Sequence, residues 1–185
     1  YGTGLNGKSG DQTYSWGAYL PESARYNYSP KDFFQTGTTL TNAFSLSGGT
    51  DKNQSYFSAA AVNSDGIIPN NKYDRYNFTF RNTSWFLHDK LRIDFNGSYI
   101  IQKDQNMTNQ GVYSNPLTAV YLFPRGSDFS IYQSYERYNP GTKMMEQFWS
   151  DALAGDLRMQ NPYWIAYRNL RNNDKHRYML NLTAA

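Results

Sequence analysis

The chain has 185 residues and a formal net charge of +3, with 18 Lys and Arg against 15 Asp and Glu. So balanced a charge gives no indication of a nucleic-acid partner. The absence of cysteine excludes disulfides, thiolate metal sites and a cysteine nucleophile. No run of about eighteen apolar residues occurs, which excludes a membrane-spanning helix but leaves a membrane β-barrel open.

The first segment, residues 1–39, is predicted to form a loop, because glycines at positions 2, 4, 7 and 10 stand among Asn, Ser, Thr and Lys and favour turns. Its aromatic residues follow no regular period. Since the sequence begins at Tyr1 rather than Met and carries no signal peptide, we expect it to be a piece of a longer protein.

Four strands are predicted between residues 40 and 102. In the first, Leu40–Gly48, apolar side chains alternate with Thr, Ala and Ser. A tight turn follows, and Gln54–Val62 returns as a second strand that is less clearly sided because of its run of Ala. After a polar loop the third and fourth strands form the hairpin described next, and a further strand begins near Lys175.

The stretch Arg75–Gln102 carries the clearest alternation. Before a short break at Trp85–Lys90 and after it, every second residue is apolar, which predicts an antiparallel hairpin with one apolar and one polar face. Each strand runs about ten residues or more, which exceeds the usual five or six and suits a tilted strand that crosses a bilayer. The apolar positions are Tyr76, Phe78, Phe80, Leu91, Ile93, Phe95, Tyr99 and Ile101.

Two interpretations fit such strands. In a soluble sheet the aromatic face packs on a core and the polar face meets water, whereas in an outer-membrane barrel the aromatic face meets lipid and the polar face a wet lumen. The connections favour the barrel, because they alternate between short and long, as the periplasmic turns and extracellular loops of barrels do. Polar strand residues such as Arg81, Arg92, Asp94 and Asn96 suit a wet lumen.

The predicted fold class is therefore all-β, with antiparallel up-and-down strands of a partial transmembrane β-barrel and long extracellular loops. We expect an outer loop segment at residues 1–39 and four barrel strands with short turns at residues 40–102. A long extracellular loop of about seventy residues follows at residues 103–174, far longer than loops of compact domains. Residues 175–185 are expected to start the next strand.

Seven short motifs resemble, in order and spacing, the early barrel of SusC/RagA-type TonB-dependent outer-membrane transporters. The resemblance covers essentially the whole chain. The motifs are Tyr1–Gly4, Ser15–Gly17, Phe33–Gly37, Ser45–Gly49, Gly66–Asn70, Phe123–Arg125 and Asn161–Trp164.

This resemblance implies a barrel of about 22 strands with a plugged lumen, located in the bacterial outer membrane. It implies import of large nutrients, either oligosaccharides or peptides, together with a SusD-type surface lipoprotein. Energy would come from TonB through a segment that lies outside this chain. Outer-membrane lipid would surround the strands.

The best candidates for ligand contact are aromatic residues and an arginine in the loops. Aromatic faces pack against sugar rings or apolar peptide side chains, while Arg supplies oriented hydrogen bonds. Alternatively, these aromatics simply fold a long loop onto itself. The candidates are Tyr14, Trp16, Tyr19, Tyr113, Tyr121, Phe123 and Arg125. Within the long loop, Met144–Leu153 is predicted to form a short helix.

Little in the sequence indicates chemistry. His88 and His176 have no metal-ligand spacing between them, and the loop carboxylates are best interpreted as solvated charges. We therefore expect no catalytic residues, no metal and no cofactor, and no enzymatic activity. The alternative function is a soluble carbohydrate-binding β-module of a secreted glycan-degrading protein, in which the aromatic strand faces form a core and the loops bind glycan.

Overall fold

The computed structural model describes residues 28–123, 127–149 and 159–185. The chain divides into two compact units. The sheet unit comprises residues 37–66, 71–105 and 171–185. The loop unit comprises the rest, and its described part covers residues 28–36, 67–70, 106–123, 127–149 and 159–170.

The sheet unit is one antiparallel sheet of five long strands, which follow one another in the order β1 Thr38–Thr50, β2 Asn53–Asp65, β3 Lys72–Phe86, β4 Leu91–Gln105 and β7 Asn172–Ala184. The all-β, antiparallel, up-and-down prediction is confirmed, and within the described residues the sheet is open, with β1 and β7 at its edges. Each strand has 13 or 15 residues, which makes all of them longer than their alternation predicted.

The turn between β3 and β4 is shorter than the sequence indicated. Trp85 and Phe86, expected in the break, belong to β3 and pair with Arg92 and Leu91. The chain reverses over four residues, three of which, residues 87–89, adopt left-handed backbone angles. A tight left-handed turn thus leaves the two aromatic residues free to extend the ladder.

The loop unit contains short elements joined by irregular chain. Two 3-10 helices, Pro30–Phe33 and Ser130–Gln133, accompany helix α1 at Pro116–Leu122 and helix α2 at Pro162–Tyr167. A small hairpin pairs β5, Glu136–Asn139, with β6, Met144–Gln147.

The helix predicted at Met144–Leu153 is wrong for its first four residues, which form β6. The hairpin forms here because the turn before it is held by side chains. Asn139 accepts a hydrogen bond from Gly141 N, and both Asn139 and Thr142 donate to the Glu146 carboxylate. Residues 150–153 of the predicted helix lie outside the described residues.

All the buried hydrophobic side chains of the described residues belong to the loop unit. They form a largely aromatic cluster in which rings meet at centroid distances of 4.5–6.4 Å. Edge and tilted contacts of this kind add to the gain from burial. The cluster contains Tyr28, Phe33, Ala119, Val120, Phe123, Phe129, Trp149, Met159 and Tyr163.

Candidate functional site

One face of the sheet is apolar across all five strands; we call it the apolar face. Because apolar residues occupy alternate positions along each strand, they lie on one side of the sheet. The register of the strands then places them in rows that cross the sheet. One row runs Phe44, Ala59, Phe78, Tyr99 and Tyr178 from β1 to β7. The next row runs Leu46, Phe57, Phe80, Gly97 and Leu180.

The apolar face is exposed to a degree that is unusual for a packed sheet. Phe44 is 60% exposed, Leu46 63%, and Leu180 and Leu182 73% each. Contiguous exposed apolar area of this kind marks a surface that meets a partner or a membrane. The face is therefore the first candidate functional surface of the chain.

The apolar band does not run perpendicular to the strands. On β1 it covers Leu40–Leu46, which lie opposite Phe57–Asn63 of β2. On β7 it begins at Tyr178, which lies opposite Tyr99 of β4. Followed through β3, this position corresponds to residue 59 of β2.

The border of the band on the side of the long connections thus moves from residue 63 to residue 59 of β2, a shift of four residues over the four steps from β1 to β7. One residue of about 3.3 Å for each interstrand spacing of about 4.8 Å gives an inclination of roughly 35°. Strands of membrane barrels tilt by roughly 35–45°, so an apolar band that is level in a bilayer crosses them at this inclination.

Tyrosines line the border of the band on the side of the long connections; we call them the tyrosine border. They are Tyr76, Tyr99 and Tyr178, one on each of three neighbouring strands. The Tyr76 hydroxyl accepts a hydrogen bond from Asn63 Nδ2 at 3.0 Å, and the Tyr99 hydroxyl lies 2.6 Å from His176 Nδ1. The rings of Tyr76 and Tyr99 therefore join the apolar band while their hydroxyls reach polar groups, the arrangement typical of a membrane interface.

At the end of the sheet that carries the short turns, the apolar face ends in a cluster of polar side chains. Asn53 donates to Ser84 at 2.9 Å, Asn82 donates to Ser55 at 2.9 Å, and Ser84 donates to Asn82 at 2.7 Å. Ser84 is buried by this network. The apolar band is therefore bounded by hydrogen-bonded side chains at both ends.

The opposite face of the sheet, the polar face, carries charged and amide side chains. Thr83 donates to Asp94 at 2.7 Å, and Arg92 forms an ion pair with the same carboxylate at 2.9 Å. A recess of about 560 Å³ lies on this face near the turn between β1 and β2. Residues that line it include Ser47, Gly49, Gln54, Tyr56, Arg81 and Thr83.

The predicted ligand-contact residues differ in their surroundings. Tyr113 and Tyr121 are exposed on the loop unit, and the Tyr121 ring lies 6.5 Å from that of Phe34. Phe123 is only 3% exposed and its ring contacts Tyr28 and Phe129 in the aromatic cluster. Its position favours the packing interpretation for that residue. Tyr14, Trp16, Tyr19 and Arg125 lie outside the described residues.

The side chain of Asn161 makes four hydrogen bonds within the described part of the loop unit, a role that the sequence analysis did not predict. It is fully buried at the start of α2. Its Nδ2 donates to the carbonyls of Tyr132 at 2.8 Å and Phe148 at 2.7 Å, while its Oδ1 accepts from the backbone N–H groups of Tyr163 and Trp164. One amide thus caps the helix and joins it to the 3-10 helix Ser130–Gln133 and to the segment that follows β6. The signal in the sequence was Asn before Pro, a helix-start pattern.

A second pair of asparagines holds the other end of α2. Asn70 and Asn106 both adopt left-handed backbone angles, and both donate side-chain hydrogen bonds to the carbonyl of Ala166, at 2.7 and 3.1 Å. The carbonyls at a helix C-terminus lack partners within the helix. The motif Gly66–Asn70 therefore contributes a cap for a helix almost a hundred residues later.

An aromatic and ionic patch lies on the surface of the loop unit. Tyr135 stacks on Tyr167 at 5.5 Å, and Arg168 forms two hydrogen bonds of 2.6 Å with the Glu136 carboxylate. These bonds lower the pKa of Glu136 and raise the pKa of Arg168, because each group stabilises the charged form of the other. Burial raises the pKa of the Tyr163 hydroxyl.

No group of three or more His, Asp or Glu side chains that could hold a metal ion occurs among the residues that the structure describes. Over the same residues, no helix is both long and apolar enough to cross a membrane. In the comparisons with known proteins, no family model matches the chain and no curated protein matches it.

Proposed function

We propose that the chain is the early-barrel portion of a TonB-dependent outer-membrane importer of the SusC/RagA type. In this proposal the apolar face meets outer-membrane lipid and the polar face meets the lumen. The loop unit lies outside the cell, where it works with a SusD-type lipoprotein to admit an oligosaccharide or peptide. TonB acts through a segment that this chain does not contain.

The observation that carries the proposal is the exposed, inclined apolar band. Lipid is the partner that such a band fits, because it is apolar at its centre and hydrogen-bonded at both borders. Its inclination of roughly 35° agrees with the tilt of barrel strands. The motif resemblance then narrows the kind of barrel to a nutrient transporter.

The soluble carbohydrate-binding module receives less support from the same face. In a soluble β-module the aromatic side of the strands would form the core. Here Phe44, Leu46 and Leu180 are more than half exposed, while the buried hydrophobic side chains belong to the loop unit.

Site-directed spin labelling in the full-length transporter tests the proposal. The chain has no Cys, so single cysteines can be introduced at Phe78 and at Asn77, which are neighbours on opposite faces of β3. In reconstituted protein, oxygen dissolved in lipid should relax a label at 78 strongly. A water-soluble nickel relaxant should act more strongly on a label at 77.

The matched pair controls for local mobility, because both labels occupy the same strand one residue apart. Labels at Phe57 and Tyr56 on β2 repeat the comparison on an independent strand. The reverse pattern, or equal exposure of both faces to water, would refute the membrane assignment.

A further inference from the structure

Two side-chain contacts join the same pair of segments in the aromatic and ionic patch of the loop unit. The ring of Tyr135 stacks on that of Tyr167 at 5.5 Å, with an angle of 18° between the ring planes. The next residue of each segment forms the second contact, in which Arg168 donates two hydrogen bonds of 2.6 Å to the Glu136 carboxylate. A pair of stacked rings therefore adjoins a planar ion pair.

The stack holds the ring of Tyr167 in place and leaves it accessible. Tyr167 is 41% exposed. Tyr135, which covers one face of that ring, is half-buried and also meets the ring of Trp164 edge-on at 6.5 Å. Within the described residues, the Tyr167 ring contacts no other aromatic ring. A ring that is supported on one face and open to solvent loses little conformational entropy when a ligand stacks on it.

The ion pair keeps donors and acceptors within reach of solvent. Its two hydrogen bonds start from Nε and Nη2, so three of the five guanidinium N–H groups of Arg168 form no hydrogen bond with the residues that the structure describes. The side chains of Arg168 and Glu136 are 50% and 20% exposed. Because the two charges compensate each other, the pair offers directional hydrogen bonds without a net charge.

We propose that this patch binds a pyranose unit of a neutral oligosaccharide, with the sugar ring stacked on Tyr167 and adjacent hydroxyls hydrogen-bonded to Arg168 and Glu136. A pyranose carries C–H groups on its faces and hydroxyl groups around its edge. It therefore matches an aromatic face that adjoins a planar fork of donors and a carboxylate. The inference deepens the proposed function, and it rests on that function for the step from a bound sugar to an imported one.

Charge and shape favour a sugar over a peptide at this patch. A charged peptide side chain or terminus would have to displace one member of the ion pair between Arg168 and Glu136. A peptide backbone offers only one N–H and one C=O for each residue, whereas adjacent sugar hydroxyls present two groups that both donate and accept to a single guanidinium. The patch therefore selects the neutral, hydroxyl-rich nutrient of the two.

The experiment uses the full-length transporter in detergent. The wild type is screened on an array of neutral glycans and then titrated by calorimetry with the glycan that binds most tightly. Tyr167→Leu retains an apolar side chain against Tyr135 but removes the flat ring, so it should weaken binding about tenfold, the scale of one aromatic stacking contact. Arg168→Lys retains the charge beside Glu136 but not the planar fork, and it should weaken binding to a similar extent.

Two further variants serve as controls. Tyr167→Phe keeps the ring and should keep the wild-type affinity. Arg137→Lys is the match for Arg168→Lys, because Arg137 follows Glu136 on β5 and so lies on the opposite face of the hairpin, where its guanidinium covers the ring of Phe148 at 3.4 Å. It should leave glycan binding unchanged. Hydrogen exchange of the loop unit and heat-modifiable gel mobility verify folding and assembly.

Three results would overturn the inference. One is that no neutral glycan binds the wild type. Another is that Tyr167→Leu and Arg168→Lys bind as the wild type does, or lose no more affinity than Arg137→Lys. The third is that affinity falls only in variants whose loop unit also loses protection from exchange, because the patch would then serve packing alone.

The spin labels at residues 77 and 78 separate this failure from failure of the proposed function. Lipid contact at residue 78 without glycan binding would overturn the sugar site alone. Glycan binding without lipid contact would overturn the proposed importer and leave the sugar site in place.

Discussion

The two units of this chain use apolar residues in opposite ways. The loop unit has little regular structure but contains the buried aromatic cluster, whereas the sheet unit is almost entirely regular and leaves its large apolar side chains exposed or half-buried. The long regular strands and the buried apolar side chains of this molecule therefore lie in different units. Backbone hydrogen bonding along the ladders holds the sheet unit, and side-chain packing holds the loop unit.

The difference follows from how each unit provides hydrogen-bond partners for the N–H and C=O groups of its backbone. The inner strands β2, β3 and β4 pair their N–H and C=O groups with neighbours on both sides, and β1 and β7 pair on one side, so the ladders need no side chains for that purpose. The loop unit must satisfy its backbone with side chains, and Asn161, Asn70 and Asn106 do so. Variants that disturb one unit should consequently leave the other intact.

The largest effect is expected for Asn161→Asp in the loop unit. A carboxylate keeps the helix cap but replaces an amide that donates to two carbonyls, so a buried charge would face the oxygen atoms of Tyr132 and Phe148. The loop unit should lose about 3–5 kcal/mol, the scale for an uncompensated buried charge. Hydrogen exchange resolved by segment would measure it, with protection of the sheet strands unchanged.

Asn115→Asp is the matched control for that substitution. Asn115 caps α1 through its Oδ1, which accepts from Leu117 N at 3.0 Å, and a carboxylate at a helix start retains that acceptor. Its effect should be neutral or slightly stabilising. A neutral effect of both variants would show that Asn161 acts only as a cap.

The next effect tests the sheet unit. Phe80→Arg places a charge in the centre of the apolar face and should destabilise the barrel in lipid by about 2–4 kcal/mol, as at a bilayer midplane. Thr79→Arg, one residue away on the polar face, should change stability by no more than about 0.5 kcal/mol. Urea unfolding of reconstituted full-length protein provides the measurement. Equal costs for the two substitutions would contradict the assignment of faces.

The sheet could be predicted from the sequence because its signal is local. Alternation with a period of two identifies strands, faces and turns without knowledge of any distant residue. The tight turn predicted after the first strand is local as well, and Gly49 beside it has no room for a side chain, which would collide with the carbonyl oxygen of Asn53 at the start of β2. Only the strand ends were misjudged, because long strands extend beyond their alternating part.

The loop unit could not be predicted in the same way, since its contacts join distant segments. Tyr28 donates to the carbonyl of Val120, and Asn70 to that of Ala166, separations of 92 and 96 residues. No local pattern distinguishes the buried Phe123 from the exposed Tyr121, two residues away. The many aromatic residues of the long loop indicated either a packed cluster or a ligand-binding surface. Only the fold shows which of them are buried in the cluster and which are exposed.

A smaller effect is expected for the exposed aromatic ring of Tyr121. Tyr121→Ala removes an exposed ring, so ligand binding by the full transporter should weaken by roughly 1–3 kcal/mol if the ring stacks on ligand. Folding of the loop unit should be unchanged, in contrast to Phe123→Ala, which opens the aromatic cluster. Calorimetry with a panel of oligosaccharides and peptides gives the affinity, and hydrogen exchange gives the folding control. Normal binding by the Tyr121 variant would assign that residue to the loop surface alone.

The smallest effect concerns the pH dependence of the loop unit. Two arginine hydrogen bonds lower the pKa of Glu136 from its ordinary value of 4.5, so the folded loop unit favours the carboxylate. The stability that this pair contributes is complete above pH 4.5 and is lost as the pH falls through the lowered pKa. Glu136→Gln should therefore reduce protection from hydrogen exchange slightly at pH 7, and the difference from wild type should vanish in strong acid.

Glu146 provides the comparison, because the neutral side chains of Asn139 and Thr142 lower its pKa. Added salt should diminish the Glu136 difference and leave that of Glu146→Gln, since salt screens an exposed ion pair more than a hydrogen bond to a neutral group. An equal response of both variants to salt would show that the charge of Arg168 contributes nothing beyond its hydrogen bonds.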